Sequence, residues 1–171
     1  MLNVTLRACA LSLPMVVAFP VAAQDSRPAV TATSPDGSIA LTVSTDSDSR
    51  PVWSLSRKGR LLIAPSKLGF ILTDDLNMVR GFAIAGSEKG SGKDRWEQPW
   101  GERRFVTDNH NELLVRFKQS DVQGARLMNV RFRLFDDGVG FRYELPEQPG
   151  LKTMRITDET TEFDIAPEGT A

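Results

Sequence analysis

From Thr31 onward, apolar and polar residues alternate with a period of two, which predicts strands with one buried face. Ile39, Leu41 and Val43 alternate with polar neighbours after the turn sequence Ser34-Pro35-Asp36-Gly37. Trp53 and Leu55 continue the pattern beyond Pro51, and Lys58-Gly59 turns the chain into Leu61-Ile63. Leu68, Phe70 and Leu72 form another alternating set before the turn expected at Asp74-Asp75. Further on, Leu113, Val115 and Phe117 share one face, with Glu112, Arg116 and Lys118 on the other. Met128, Val130, Phe132 and Leu134 alternate with Asn129, Arg131 and Arg133. After Asp136-Asp137-Gly138, Val139, Phe141, Tyr143 and Leu145 alternate with Gly140, Arg142 and Glu144. These last two runs predict a β-hairpin, because Asp and Gly accept the positive φ of a tight reversal. Arg131, Arg133, Arg142 and Glu144 are placed to pair across its outer face. Such pairs contribute about 0.2–1 kcal/mol each, so they refine register and do not create the fold. A slip of one residue would turn Phe132 and Phe141 outward, which keeps the register defined.

No helical stripe interrupts the strands after the first segment. Many short strands separated by Gly, Pro and Asp turns predict an all-β, antiparallel β-sandwich. Ser87 to Arg95, rich in glycine and charge without an apolar anchor, reads as its most flexible loop.

The first segment differs in kind. Arg7 precedes an apolar run from Ala8 to Val21 that ends in Val21-Ala22-Ala23 before Gln24. A positive start, a short apolar stretch and small residues at its end predict a signal peptide over 1–23, cleaved after Ala23. The run falls short of the roughly 20 apolar residues that span a bilayer. Export to the periplasm is therefore expected, with residues 24–30 a flexible new amino terminus and 31–171 the folded domain. Cys9, the single cysteine of the 171 residues, lies inside the leader. The mature chain then has no disulfide, thiolate metal site or cysteine nucleophile. It must stand on its core alone, and about 145 residues suffice for that.

Charge narrows the partners. Lys and Arg number 21 against 22 Asp and Glu, interspersed along the chain. Nothing resembles the basic stripe that counterion release at phosphates requires, so no nucleic acid partner is expected. With no second apolar span, no membrane attachment is expected after cleavage.

Candidate chemistry is sparse. His110 is the one histidine, and Asp108, Asn109 and Glu112 stand beside it. A hydrolytic triad or a histidine metal site would need it among such partners. The group nevertheless reads as turn residues between two strands. Asp74-Asp75 and Asp136-Asp137 offer paired carboxylates, but adjacent strand residues point to opposite faces and both pairs read as turns. Asp158, Glu159 and Glu162 lack the spacing of a calcium loop and read as a solvated charged face. Gly86 to Lys93 lacks the spacing of a phosphate loop, and no helix pattern follows. No catalytic or metal-ligating set emerges. Trp96-Glu97-Gln98-Pro99-Trp100-Gly101-Glu102 is the unusual stretch. Its indoles suit sugar rings, and they also suit a plug at the sandwich edge or a domain interface. The interface reading is favoured, with Trp96, Trp100, Glu102 and His110 the carbohydrate- or interface-contacting candidates.

That stretch, followed by Asn109-His110-Asn111-Glu112-Leu113 and by Arg131-Phe132-Arg133-Leu134-Phe135-Asp136-Asp137-Gly138-Val139-Gly140-Phe141-Arg142-Tyr143-Glu144, resembles the amino-terminal domain of glycoside hydrolase family 97. Ser34-Pro35-Asp36-Gly37 and Pro65-Ser66-Lys67-Leu68-Gly69 fit its opening, and Thr161-Glu162-Phe163 its continuation. The resemblance runs from about Thr31 to Ala171, with the motifs in the family's order. It implies an exported, calcium-dependent α-glycosidase, α-glucosidase-like or α-galactosidase-like, acting on oligosaccharides. It implies a galactose-mutarotase-like supersandwich, incomplete here, followed by a (β/α)8 barrel that carries the catalytic carboxylates. The family's amino-terminal domain lends a carboxylate to the active-site calcium from a motif beyond Ala171. No residue here inherits that role, nor that of acid, base or nucleophile. The expected function is thus non-catalytic support of a barrel absent from this chain. The alternative is a stand-alone carbohydrate-binding or interaction module.

Overall fold

The computed structural model describes residues 28–73, 77–120, 126–149, 151 and 153–167. The leader expected over 1–23, with Arg7 and Cys9, and the turn expected at Asp74-Asp75 lie outside the described residues. Among the described residues the chain is all strands and connections, arranged as antiparallel sheets.

The first sheet is a meander of β1 (Val30–Thr33), β2 (Ile39–Thr45), β3 (Pro51–Arg57) and β4 (Arg60–Lys67), in that order. Lys58 and Gly59 join β3 to β4 with φ of 49° and 78°, the left-handed pair that a two-residue hairpin requires. Between β1 and β2, the Gly37 N–H donates to the Ser34 carbonyl at 2.9 Å, closing the expected turn. β5 (Phe70–Leu72) pairs with β10 (Ile156–Glu159). The chain then continues antiparallel along β4. Thr160 N–H donates to Gly69 O, Glu162 N–H to Lys67 O and Ala166 N–H to Leu62 O, while Ala64 N–H donates back to Asp164 O. That return segment satisfies the outer edge of β4, whose backbone groups would otherwise invite pairing with another chain.

The second sheet is a meander of β6 (Phe82–Glu97), β7 (Phe105–Gln119), β8 (Arg126–Leu134) and β9 (Val139–Glu144). Along β7 and β8 the alternation is as expected: Leu113, Val115, Phe117, Met128, Val130, Phe132 and Leu134 are fully buried. On the edge strand β9, by contrast, Val139, Phe141 and Tyr143 are half-buried, and Leu145 beyond it is exposed. The fully buried residues face Leu41, Val43, Trp53 and Leu55 of the first sheet in one core. Each such side chain removed from water contributes about 1.5–3 kcal/mol. Trp53 is the hub. Its ring meets Phe132 at 6.3 Å, Phe141 at 5.4 Å and Phe163 at 5.3 Å, and its Nε1–H donates to the Glu162 carbonyl at 3.3 Å.

Three expectations need correction. Ser87 to Arg95 is no loop: it lies within β6 and pairs with β7 residue by residue, from Ser87↔Val115 to Arg95↔Thr107. Backbone pairing there replaces the apolar anchor that the side chains lack. His110 is no turn residue either: it sits inside β7, opposite Gly92. The hairpin at Asp136-Asp137-Gly138 forms as expected, closed by Phe135 N–H to Gly138 O at 2.8 Å. Gly138, however, has no positive φ, so its glycine freedom is not what turns the chain.

Candidate functional site

β6 and β7 outrun the rest of their sheet. β8 pairs with β7 only as far as Asn111↔Leu134, while β6 and β7 stay paired out to Glu97↔Phe105. From Ser91 to Glu97 the two strands therefore project alone, about 20 Å at the rise of a strand. Gly92 and His110 mark the base of this arm. A Cβ on Gly92 would lie 2.5 Å from the His110 ring, so the glycine exists to let the imidazole lie across it. His110 is buried, its Nδ1 lies 2.5 Å from the Asp108 carboxylate, and its ring stands 5.5 Å from that of Phe135. Asp108 and His110 are two apart on one strand and share a face, which the turn reading could not reveal. Neither Gly92 nor Phe135 offers a nucleophile to this pair, so it is placed to hold the arm.

The end of the arm is built rather than slack. Gln98 N–H donates to the Arg104 carbonyl at 2.9 Å, and its side-chain amide donates to the Arg103 carbonyl at 2.9 Å. Arg104 Nε donates to Glu97 at 2.7 Å. The guanidinium of Arg95 lies 4.4 Å from the centre of the Phe105 ring, and that of Arg104 lies 5.4 Å away. On this frame Trp100 is 84% exposed, Trp96 48% and Phe105 44%, with Glu102 exposed beside them. The tryptophans therefore do not plug the edge of their own sandwich. The structure brings Trp96, Trp100 and Glu102 to the far part of the arm and leaves His110 at its base.

Glu112, Glu144 and Glu162 are engaged in ion pairs. Arg131 is the centre of a ladder on the outer face of the second sheet. It donates to Glu112 and, at 2.6 Å, to Glu144; Arg133 donates to Glu112 at 3.3 Å and Arg142 to Glu144 at 2.9 Å. The hydrogen bond from Arg131 holds the Glu144 carboxyl down to about 2, against the opposing effect of burial. The hydrogen bond from Lys67, at 3.0 Å, likewise lowers Glu162. Glu159 accepts from Thr161 Oγ1 at 2.6 Å. Among the described residues, no three His, Cys, Asp or Glu side chains converge as a metal site.

A second surface lies on the flank of the sandwich. Trp53, Ile63, Val139, Phe141, Glu159, Thr161 and Phe163 line an open cleft of about 650 Å³. β9 is the edge strand beside it, and Phe163 is 58% exposed. The sequence signal for this cleft was weak, since alternation marks a buried face without saying what covers it.

Sheets packed face to face, with aromatic side chains held out on an arm and along a flank, describe a β-sandwich domain. Residues 32–171 match the family described as Glycosyl-hydrolase 97 N-terminal, and the chain belongs to that family. A relative named as a probable retaining alpha-galactosidase, from Streptomyces bingchenggensis, is 31% identical over 165 residues, covering 94% of this chain and 24% of that protein. The retaining alpha-galactosidase of Bacteroides thetaiotaomicron is 23% identical over 141 residues, covering 82% of this chain and 20% of that protein. A Glycoside Hydrolase Family 97 enzyme from Pseudoalteromonas sp. strain K8, solved in complex with panose, superposes with a TM-score of 0.76 at 41% identity. That superposition covers 81% of this chain and 20% of the enzyme. The chain thus spans about a fifth to a quarter of the length of the proteins it matches.

Proposed function

We propose that this chain is the amino-terminal, non-catalytic part of an exported, calcium-dependent α-glycosidase that hydrolyses α-glycosidic bonds of oligosaccharides. The observation that carries the reading is the family match over 32–171, joined to coverage of only 20–24% of the matching proteins. The remaining length is where a catalytic barrel belongs, and the sandwich supports it. An α-glucoside substrate is favoured over an α-galactoside, because the neighbour solved with panose, a glucose trisaccharide, shares 41% identity. The α-galactosidases share 31% and 23%.

Calcium finds no fit among the described residues, since Glu112, Glu144 and Glu162 are turned to Arg and Lys side chains. In this reading its ligands lie in the remainder of the enzyme, and no step of the reaction is assigned to this domain.

The test is expression of the complete reading frame that contains this chain, followed by assays on p-nitrophenyl α-glucoside and α-galactoside. Hydrolysis that is abolished by a chelator and restored by calcium is expected, with none from residues 1–171 alone. A complete protein inactive on both substrates in calcium would sink the proposal, as would hydrolysis by this chain alone. Recovery of a mature protein beginning at Gln24 from the periplasmic fraction tests the export.

A further inference from the structure

We infer that the β6–β7 arm is the docking element with which this domain grips the remainder of its parent enzyme, and that Trp100 is its anchor. The inference rests on the reading of the chain as one part of a longer glycosidase. It goes further by assigning the surface and the residue that make the contact.

The geometry supplies the first argument. A two-stranded ribbon alone in water is marginally stable at best. This one leaves its sheet at Ser91 and Asn111 and continues through paired residues to Glu97 and Phe105. Both of its ends are braced, by His110 across Gly92 at the base and by Gln98 and Glu97 at the tip. The base is tied to the sandwich, where the Asn111 amide donates to the Thr33 carbonyl at 2.9 Å and His110 lies against Phe135. The tip is braced by bonds within the arm itself, and a tip held in shape beyond the sandwich serves a contact beyond it.

Composition supplies the second. Interface cores are enriched in Trp, Phe and Arg and depleted in Lys, and their binding energy concentrates in Trp, Tyr and Arg anchors within a polar rim. The arm carries Trp96, Trp100, Phe105, Arg95, Arg103 and Arg104, with Lys93 its single lysine. Lys93, Arg95, Arg103 and Arg104 are matched by Asp94, Glu97, Glu102 and Asp108, so the arm has no net field to direct at a charged polymer.

Shape decides between a protein pocket and a sugar. Arg95 and Arg104 already lie over the Phe105 ring, and Trp96 lies back along the strand opposite Val106. That leaves the Trp100 indole as the most exposed ring, at the tip, with Trp96 half-exposed behind it, suited to insertion into a pocket rather than to a row of stacked sugar rings. The length of the matching proteins supplies the partner: about three quarters or more of each lies beyond the part this chain covers.

Site-resolved oxidative labelling of tryptophan, read by peptide mass spectrometry, tests this in the full-length protein and in residues 1–171. Buried Trp53 is the internal reference. Trp100 should label fast in the 171-residue chain and several-fold more slowly in the full-length protein. Equal Trp100 labelling in the two would overturn the inference. So would slowing in the 171-residue chain by maltotriose or melibiose alone, which would make the tip a sugar platform. A full-length protein with protected Trp100 but no hydrolysis would sink the glycosidase reading and leave the docking arm standing.

Discussion

Replacing Gly69 with alanine separates two costs that usually arrive together. Gly69 joins β4 to β5 with φ of 153°, in the region where an L side chain is strained. A Cβ there would lie 2.4 Å from the Met78 carbonyl oxygen, 3.2 Å from Val79 Cα and 3.2 Å from Thr160 Oγ1. Two of these atoms are backbone, and the Met78 carbonyl already accepts the Phe70 N–H at 3.1 Å. No rotamer change relieves the clash, so the loop at Met78 or the return segment at Thr160 must move. Displacement of a packed neighbour costs about 1–3 kcal/mol. Backbone strain adds about 1–3 kcal/mol more. Against a total stability of about 5–15 kcal/mol the combined loss is large. Gly37→Ala is the control: its φ is 73°, but nothing lies within 4 Å of the added Cβ, so it isolates the backbone part. In urea, with an m-value of about 1–3 kcal/mol per M, the packing loss of about 1–3 kcal/mol lowers the midpoint by about 0.3–3 M. Unfolding followed by the far-ultraviolet circular dichroism of the strands should therefore place Gly69→Ala well below Gly37→Ala. Coincident midpoints for the two variants would refute the packing argument.

Acid should weaken the fold through Glu144. Its folded carboxyl is lowered from 4.5 to about 2, so its contribution is present above 4.5 and is lost as the pH falls towards 2. Stability curves of the wild type and Glu144→Gln should converge across that window, and curves that stay parallel would count against the Arg131 pairing. The single tyrosine gives a clean alkaline counterpart. Burial pushes the Tyr143 hydroxyl up to about 12, against a hydrogen bond with Thr161, so stability should fall between about pH 10 and 12. Absorbance at 295 nm should show ionisation delayed beyond that of a free tyrosine; a midpoint near 10 in the folded protein would contradict the burial. At the base of the arm, Gly92→Ala should cost about 1–3 kcal/mol by displacing the His110 ring. Adding His110→Ala should recover part of that loss, and strictly additive losses would show that the ring is not what the methyl strikes.

The strands were legible because a half-buried strand writes its own period: Leu113-Val115-Phe117 and Met128 to Leu134 went where their alternation put them. The arm was not legible for the converse reason. Ser87 to Arg95 is exposed on both faces, so it has no alternation to display, and its pairing is carried by backbone groups common to every residue. His110 was misplaced because Asp, Asn and His favour turns locally, whereas the partner strand at Gly92 holds them extended. Glu112 stood on the outer face in the alternation, yet its role in the Arg131 ladder needed β8 beside it.

The all-β class, the buried faces of β2, β7 and β8, the turns at Gly37 and Gly59, and the motifs of the family to which the chain belongs were all readable along the chain. These depend on local chemistry: side-chain period, positive φ and residue order. It took the assembled sheets to show that a charged, glycine-rich stretch is a braced arm, that Trp100 stands at its end, and that the flank beside β9 opens onto Trp53. Those features arise from which strands meet and where pairing stops, and registers between segments far apart in the chain are fixed by packing rather than by any single stretch of it.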